Sequence, residues 1–235
     1  MNELKTKIEI LRNKVIVSVQ AQDNEPLNKP EHLLAISESV INGGAGGLRL
    51  CGEGNIKFIK DKVNVPIIGL TKIQPTPINF LDVVFITASL KDARKLLDLG
   101  IECIAIDGTG RLRLDGSTLD DQIKLIKKEK RLVMADVATF EDGMSAAEKG
   151  ADLISTTLSG YTKETRYKTN EGPDFKLLEE LMEECPVPVI LEGRIWNPED
   201  VKTAFELGAF AVIIGTAITR PHLITKRFVS SVPQT

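Results

Sequence analysis

Short β-branched, apolar runs alternate with amphipathic stretches from one end of the chain to the other. A stretch long enough for a crossover helix separates most consecutive runs, and that pattern predicts α/β architecture with a parallel sheet. The strand candidates are residues 15–20, 47–51, 66–72, 83–87, 102–107, 131–136, 152–156, 187–192 and 210–214. Helical patterning fills 30–42, 54–62, 90–99, 118–128, 139–149, 174–184 and 198–207. A further helix is expected at about 2–13 and a helical tail from about 221 to 230.

Nine strands are one too many for a (β/α)8 barrel, and a connection argument removes one. Parallel neighbours need a crossover of about a dozen residues, usually a helix. Only ten residues separate Lys72 from Val83, and Pro75 and Pro77 forbid a regular helix through them. Residues 83–87 are therefore expected as a short extended piece within the loop after strand 3. Local signals agree with the eight units that remain. Asn197 before Pro198 is a cap residue followed by proline at the first helical position. Gly100, Gly150 and Gly208 each follow a helix where a left-handed C-terminal residue is wanted. The glycines at 43–47 lack the spacing of a phosphate loop and precede strand 2, so they read as a helix-to-strand turn.

The bulk numbers fit one such barrel. The chain has 235 residues, 42% hydrophobic and 27% charged, and no linker or low-complexity tract divides it. A formal charge of −3 gives no case for a nucleic-acid partner. No apolar run reaches the ~18 residues of a membrane helix, and the first residues lack a signal core, so a cytoplasmic protein is expected. Cys51, Cys103 and Cys185 show no paired spacing, which suits a reducing compartment and argues against structural zinc. Only His32 and His222 are present, so histidine-rich metal catalysis is not expected.

In such barrels the chemistry sits at the C-terminal ends of the strands, and here those ends are polar. Gln20, Lys72, Asp136 and Glu192 end the four odd strands, Arg49 lies on strand 2, Asp107 ends strand 4, and strand 6 runs into Ser155-Thr156-Thr157. A barrel layer takes four side chains from alternate strands, so the four odd-strand residues are expected to form one upper layer. Counting back by two gives Ser18, Leu70, Met134 and Ile190, a mostly apolar layer beneath. Burying a lysine and several carboxylates is costly, and structure alone seldom justifies it.

A second constellation suits phosphate. This fold binds phosphate with the loops after strands 7 and 8 and a short helix N-terminus. Gly193 and Gly215 fall at those turns, where glycine lets backbone N–H groups approach closely. Thr216 adds a hydroxyl, and Arg220, about one helical turn on, adds a fork of donors. Arg194 is a further candidate. The long loop from Thr157 to Pro173, with Gly160 as a hinge, reads as a substrate lid.

Taken together, VSVQA, LRLCG, PIIGLTK, IAIDGT, LVMADV, STTLSGYT, ILEGRI and GTAITRP, in this order from about Val15 to Phe228, resemble the N-acetylmannosamine-6-phosphate 2-epimerases. The resemblance implies interconversion of N-acetylmannosamine 6-phosphate and N-acetylglucosamine 6-phosphate in sialic-acid catabolism, without metal or organic cofactor. It also implies a homodimer or larger assembly. The family's catalytic lysine and glutamate fall on Lys72 and Glu192, and its substrate-binding residues on Gln20, Arg49, Asp136 and Arg220. Asp107 and Thr157 are counted with the substrate-binding group by position. The chain departs from the family in Ile73-Gln74-Pro75-Thr76-Pro77 after Lys72, in Thr216 where a second glycine is common, and in Gly108 where alanine is.

Epimerisation at C2 removes a proton from one face and returns one to the other. The C2–H is acidified only by an adjacent carbonyl, so the sugar reacts as the open-chain aldehyde, and the enolate oxygen needs a donor. Strands 3 and 7 are four apart in a ring of eight, which suits a two-base exchange between Lys72 and Glu192. A lysine base must be neutral when it acts, so its pKa is expected to be lowered from about 10.4 toward ~7–8. Asp136 either positions Lys72 or holds a sugar hydroxyl. Two other functions fit the residues: a Schiff-base aldolase or lyase with Lys72 as nucleophile, and a non-catalytic phosphosugar-binding barrel.

Overall fold

The computed structural model describes residues 3–73 and 78–233. Residues 74–77, with Pro75 and Pro77, lie outside the described residues, as does the start of the helix expected from residue 2. The elements run α1 (Glu3–Glu9), β1 (Val15–Val19), α2 (Pro30–Asn42), β2 (Gly47–Cys51), α3 (Glu53–Ile59), β3 (Ile67–Leu70), α4 (Leu90–Asp98) and β4 (Cys103–Asp107). There follow α5 (Leu119–Lys128), β5 (Leu132–Asp136), α6 (Phe140–Glu148), β6 (Leu153–Ser155), α7 (Phe175–Glu184), β7 (Val189–Glu192), α8 (Pro198–Glu206), β8 (Ala211–Ile214), α9 (Thr216–Thr219) and α10 (Pro221–Val229). The strands pair in sequence order, all parallel, and β8 closes onto β1.

Residues 83–87 stay out of the barrel, as the connection argument requires. They lie extended across the end of β3, through an antiparallel bridge between Lys72 and Ile86 and a parallel bridge between Val83 and Leu112. The caps also fall where the sequence puts them. Thr118 and Asp121 exchange hydrogen bonds of 3.1 and 2.9 Å in a capping box. Gly100, Gly150 and Gly208 have φ of +75°, +101° and +93°, the left-handed residues that end helices. The glycine turn at 43–47 joins α2 to β2 at the barrel's N-terminal face. Helix α1 is shorter than expected because the chain leaves it for Leu11, which is buried at that face, and for Asn13, whose N–H bonds Phe210 O at 2.8 Å.

Strand alternation divides the core into two shells. Val19, Leu50, Ile106, Ala135 and Leu191 pack outward against the helices. Ile16, Leu70, Ala105, Met134 and Ile190 fill the barrel's interior. Leu70, Met134 and Ile190 are fully buried and Ser18 is 6% exposed, so the predicted lower layer is present. Truncating one of these apolar side chains to alanine costs about 2–5 kcal/mol. The same parity carries Gln20, Arg49, Lys72, Asp107, Asp136 and Glu192 to the interior positions of the C-terminal rim.

Candidate active site

Arg49 is the centre of this rim. It is 1% exposed, and its two terminal nitrogens pair with Asp136 on β5 and Glu192 on β7. A buried guanidinium survives desolvation only with such partners. Burial pulls its pKa down, but the two carboxylates outweigh that and raise it. Thr157, in the turn after β6, completes the cluster. Its hydroxyl is 2.7 Å from Asp136 Oδ1 and 3.0 Å from Glu192 Oε2, and it donates to one of them at a time. Ser155 Oγ lies 2.8 Å from that hydroxyl. The Thr156 hydroxyl fixes the Glu192 backbone, accepting from its N–H at 3.1 Å and donating to its carbonyl at 3.0 Å.

Asp136 is fully buried, and burial pushes its carboxyl up to about 7. The charge on Glu192 adds to this, while Arg49 and Thr157 oppose it. Two carboxylates sharing one guanidinium retain a proton more readily than one would. The oxygens of Asp136 are taken by Arg49 and Thr157, so it is placed to anchor the arginine, which neither role expected of it had included. Glu192 keeps 11% of its side chain exposed and is the reachable acid of the cluster.

Lys72 lies two residues beyond interior Leu70 and is half-buried. The crossing segment fixes its backbone: Ile73 N–H bonds Phe85 O at 3.0 Å, and Thr87 N–H bonds Thr71 O at 2.8 Å. Burial raises the pKa of the neighbouring Cys51 thiol, and the charges of Lys72 and Arg49 oppose that rise. Both cations therefore act on one short stretch of rim. Gln20 donates to Ser18 Oγ at 2.7 Å, and its buried Oε1 has no partner among the described residues.

Asp107 is placed differently from the substrate ligand expected. It is fully buried and accepts from Thr109 N–H at 3.0 Å, from the Thr109 hydroxyl and from Arg111. Arg111 also donates to Phe80 O at 2.7 Å, tying the loop after β4 to the loop after β3. Sequence reasoning missed Arg111, although its spacing of four from Asp107 was a usable signal.

At the phosphate end, Gly193 has φ of +112° in the turn after β7. Gly215 caps α9, whose first residue is Thr216, and a Cβ on Gly215 would lie 3.3 Å from that of Ser18. Arg220 follows α9 directly and pairs with Glu25 from the loop after β1, a partner sequence reasoning did not name. Arg194, expected as a further phosphate ligand, donates to Gly172 O at 2.9 Å and to Ser159 O, on the loop after β6. Gly160, read as a hinge, has φ of +87°, and a Cβ there would meet Arg194 Nη1 at 2.6 Å. The loop is pinned further by Lys168 to Asp174 at 2.7 Å and by Lys163 N–H to Leu81 O at 3.2 Å.

Among the described residues, no group of three histidine, cysteine, aspartate or glutamate side chains is placed to hold a metal. No helix among them is long and apolar enough to cross a membrane.

The comparisons with known proteins point one way. The NanE family model, described as an N-acetylmannosamine-6-phosphate epimerase, matches residues 33–234. A Clostridioides difficile (strain 630) protein named as N-acetylmannosamine-6-phosphate 2-epimerase is 42% identical over 223 residues, covering 94% of this chain and 97% of that one. One of the same name from Caldanaerobacter subterraneus is 43% identical over 230 residues, covering 97% and 94%. The solved N-acetylmannosamine-6-phosphate 2-epimerase of Clostridium perfringens superposes with a TM-score of 0.89 at 39% identity, covering 96% of each chain. A thiamine phosphate pyrophosphorylase from Pyrococcus furiosus, at 13% identity and a TM-score of 0.59, shares the fold alone. The chain belongs to the N-acetylmannosamine-6-phosphate epimerase family, a family of isomerases.

Proposed function

We propose that this barrel interconverts N-acetylmannosamine 6-phosphate and N-acetylglucosamine 6-phosphate, with Lys72 and Glu192 as the two proton carriers. The observation that supports this reading is the opposition of β3 and β7 in the ring, with Lys72 two residues past the end of β3 and Glu192, paired with Arg49, at the end of β7. The open-chain aldehyde lies between them. One carrier takes the C2 proton, the electron pair moves onto the carbonyl oxygen, and the other carrier protonates C2 from the opposite face. Both carriers must be recharged by the reverse proton movement before the next turnover.

Arg49 already has its terminal nitrogens on two carboxylates, so its part is to hold Glu192 in place. The unpartnered Oε1 of Gln20 fits the N-acyl N–H or a sugar hydroxyl. Gly193, Gly215, Thr216 and Arg220 take the phosphate at the end of the barrel where this fold binds phosphate. We read the protein as a cytoplasmic, single-domain enzyme that works as a homodimer or larger assembly. Its three free cysteines suit a reducing compartment. The test is NMR of N-acetylmannosamine 6-phosphate with the protein in D2O. Deuterium entering C2 of both epimers is expected, and a protein that leaves C2–H untouched sinks the reading.

A further inference from the structure

The ion pair between Arg220 and Glu25 lies outside the ring of strands. It joins the loop after β1 to the residue between α9 and α10, and both side chains are sheltered, at 23% and 10% exposure. The loop's backbone is set by its own turns. Glu25 N–H bonds Gln22 O at 2.9 Å, and Asn28 N–H bonds Glu25 O at 3.0 Å. The carboxylate therefore reaches Arg220 by side-chain rotation from a held backbone. His222 Nε2 lies 3.5 Å from the same carboxylate oxygen. The Nε of Arg220 is buried and has no hydrogen-bond partner among the described residues.

From this geometry, and resting on the assignment of the phosphate site above, we infer that Glu25 is an internal stand-in for the substrate's phosphate. It neutralises Arg220 in the empty enzyme and surrenders it to the incoming group. A sugar phosphate carries close to two negative charges at neutral pH, and two anions on one half-buried guanidinium repel strongly. Phosphate must displace the carboxylate, and that displacement lowers its affinity. The loss has a use. Phosphate contacts bind substrate and transition state alike, so extra affinity there does not raise turnover and delays the departure of product. Glu25 thus sets the affinity for the phosphate end without touching the reacting carbon.

Binding of inorganic phosphate, measured by calorimetry and as competitive inhibition, tests this in wild type, Glu25→Gln, Arg220→Gln and the double variant. Glu25→Gln is expected to bind phosphate roughly tenfold more tightly than wild type, and the gain should vanish in the double variant. Equal or weaker binding by Glu25→Gln overturns the inference and makes Glu25 an orienting partner of the arginine. Should Arg220→Gln bind phosphate as well as wild type, the phosphate assignment itself falls, a result distinguishable from the first. If Glu25→Gln does not fold, Glu25→Asp serves, since its carboxylate is one methylene short of Arg220. It should show a smaller gain, and no gain overturns the inference.

Discussion

Arg49 and Asp136 form an ion pair with 2% and 0% of their side chains exposed, and it bridges β2 to β5 within the C-terminal rim of the barrel. The Asp136 carboxyl is pushed up to about 7, first by burial and then by Glu192. The sign of its effect on stability follows. In the unfolded chain this group loses its proton near ~3.9, and in the folded chain near 7. Between those values the folded state holds more protons, so this group's contribution to stability falls as pH rises through that window. Asn at 136 mimics the protonated acid and lacks the penalty. The melting temperature of Asp136→Asn relative to wild type should therefore rise from pH 5 to pH 8. A difference that stays flat or moves the other way contradicts the raised value.

Lys72→Ala and Glu192→Ala are each expected to lower C2–H exchange in D2O by about 10²–10⁴-fold, the usual worth of a positioned acid or base. Inorganic phosphate should still bind both variants, because the site proposed for it lies over β7 and β8 and uses neither side chain. The two variants should differ in stability. Removing Glu192 leaves Arg49 with one carboxylate partner, Asp136, whereas Lys72 has no ion-pair partner among the described residues. Exchange at the wild-type rate in either variant removes that residue from the proton path.

The barrel was legible because its signals are local and repeated: alternation along strands, helix-ending glycines and caps. Residues 83–87 could be set aside from sequence because the ten-residue, proline-broken connection before them leaves no room for a crossover helix. The interior parity of Lys72, Asp136 and Glu192 was legible for a related reason, since alternation is fixed by the backbone. What could not be read was which polar groups pair. Asp107 looked like Asp136 in sequence, each ending a strand, yet one is taken by Arg111 and the other by Arg49. Arg194 sits in a glycine turn that suits a phosphate, but carbonyls of a loop from another unit reach it first. Such choices depend on loops meeting across the mouth, and no spacing within one unit reports them.

Arg194 supplies a test that separates its two roles. As a strut, it holds Ser159 O and Gly172 O, and Gly160 has no Cβ where Arg194 passes. Arg194→Ala should then expose the segment between residues 159 and 172 to limited proteolysis and hydrogen exchange, with phosphate affinity within about twofold of wild type. Were it a phosphate ligand, phosphate affinity would fall and the loop would stay protected. Gly160→Ala should loosen the same loop, since it combines a left-handed backbone with a 2.6 Å clash, and costs about 1–3 kcal/mol.

A chain of contacts runs from Arg111 to the backbone beside Lys72. It leans on buried Asp107, donates to Phe80 O at 2.7 Å, and lies over the Phe85 ring at 5.9 Å. Phe80 and Phe85 meet edge to face at 5.9 Å, and Phe85 O accepts from Ile73 N–H beside Lys72. Arg111→Ala breaks a buried pair and should cost about 3–5 kcal/mol. Arg111→Lys is more telling. Its ammonium can still neutralise Asp107, so much of the stability should return. It lacks the second arm that reaches Phe80, so the segment bearing Ile86 is released and Lys72 shifts. A displacement near 1 Å can cost about 10²-fold in rate, so kcat for exchange should fall at least roughly tenfold while inorganic phosphate binds as before. Full recovery of kcat in Arg111→Lys, along with stability, would reduce Arg111 to a counterion for Asp107 and detach it from the lysine.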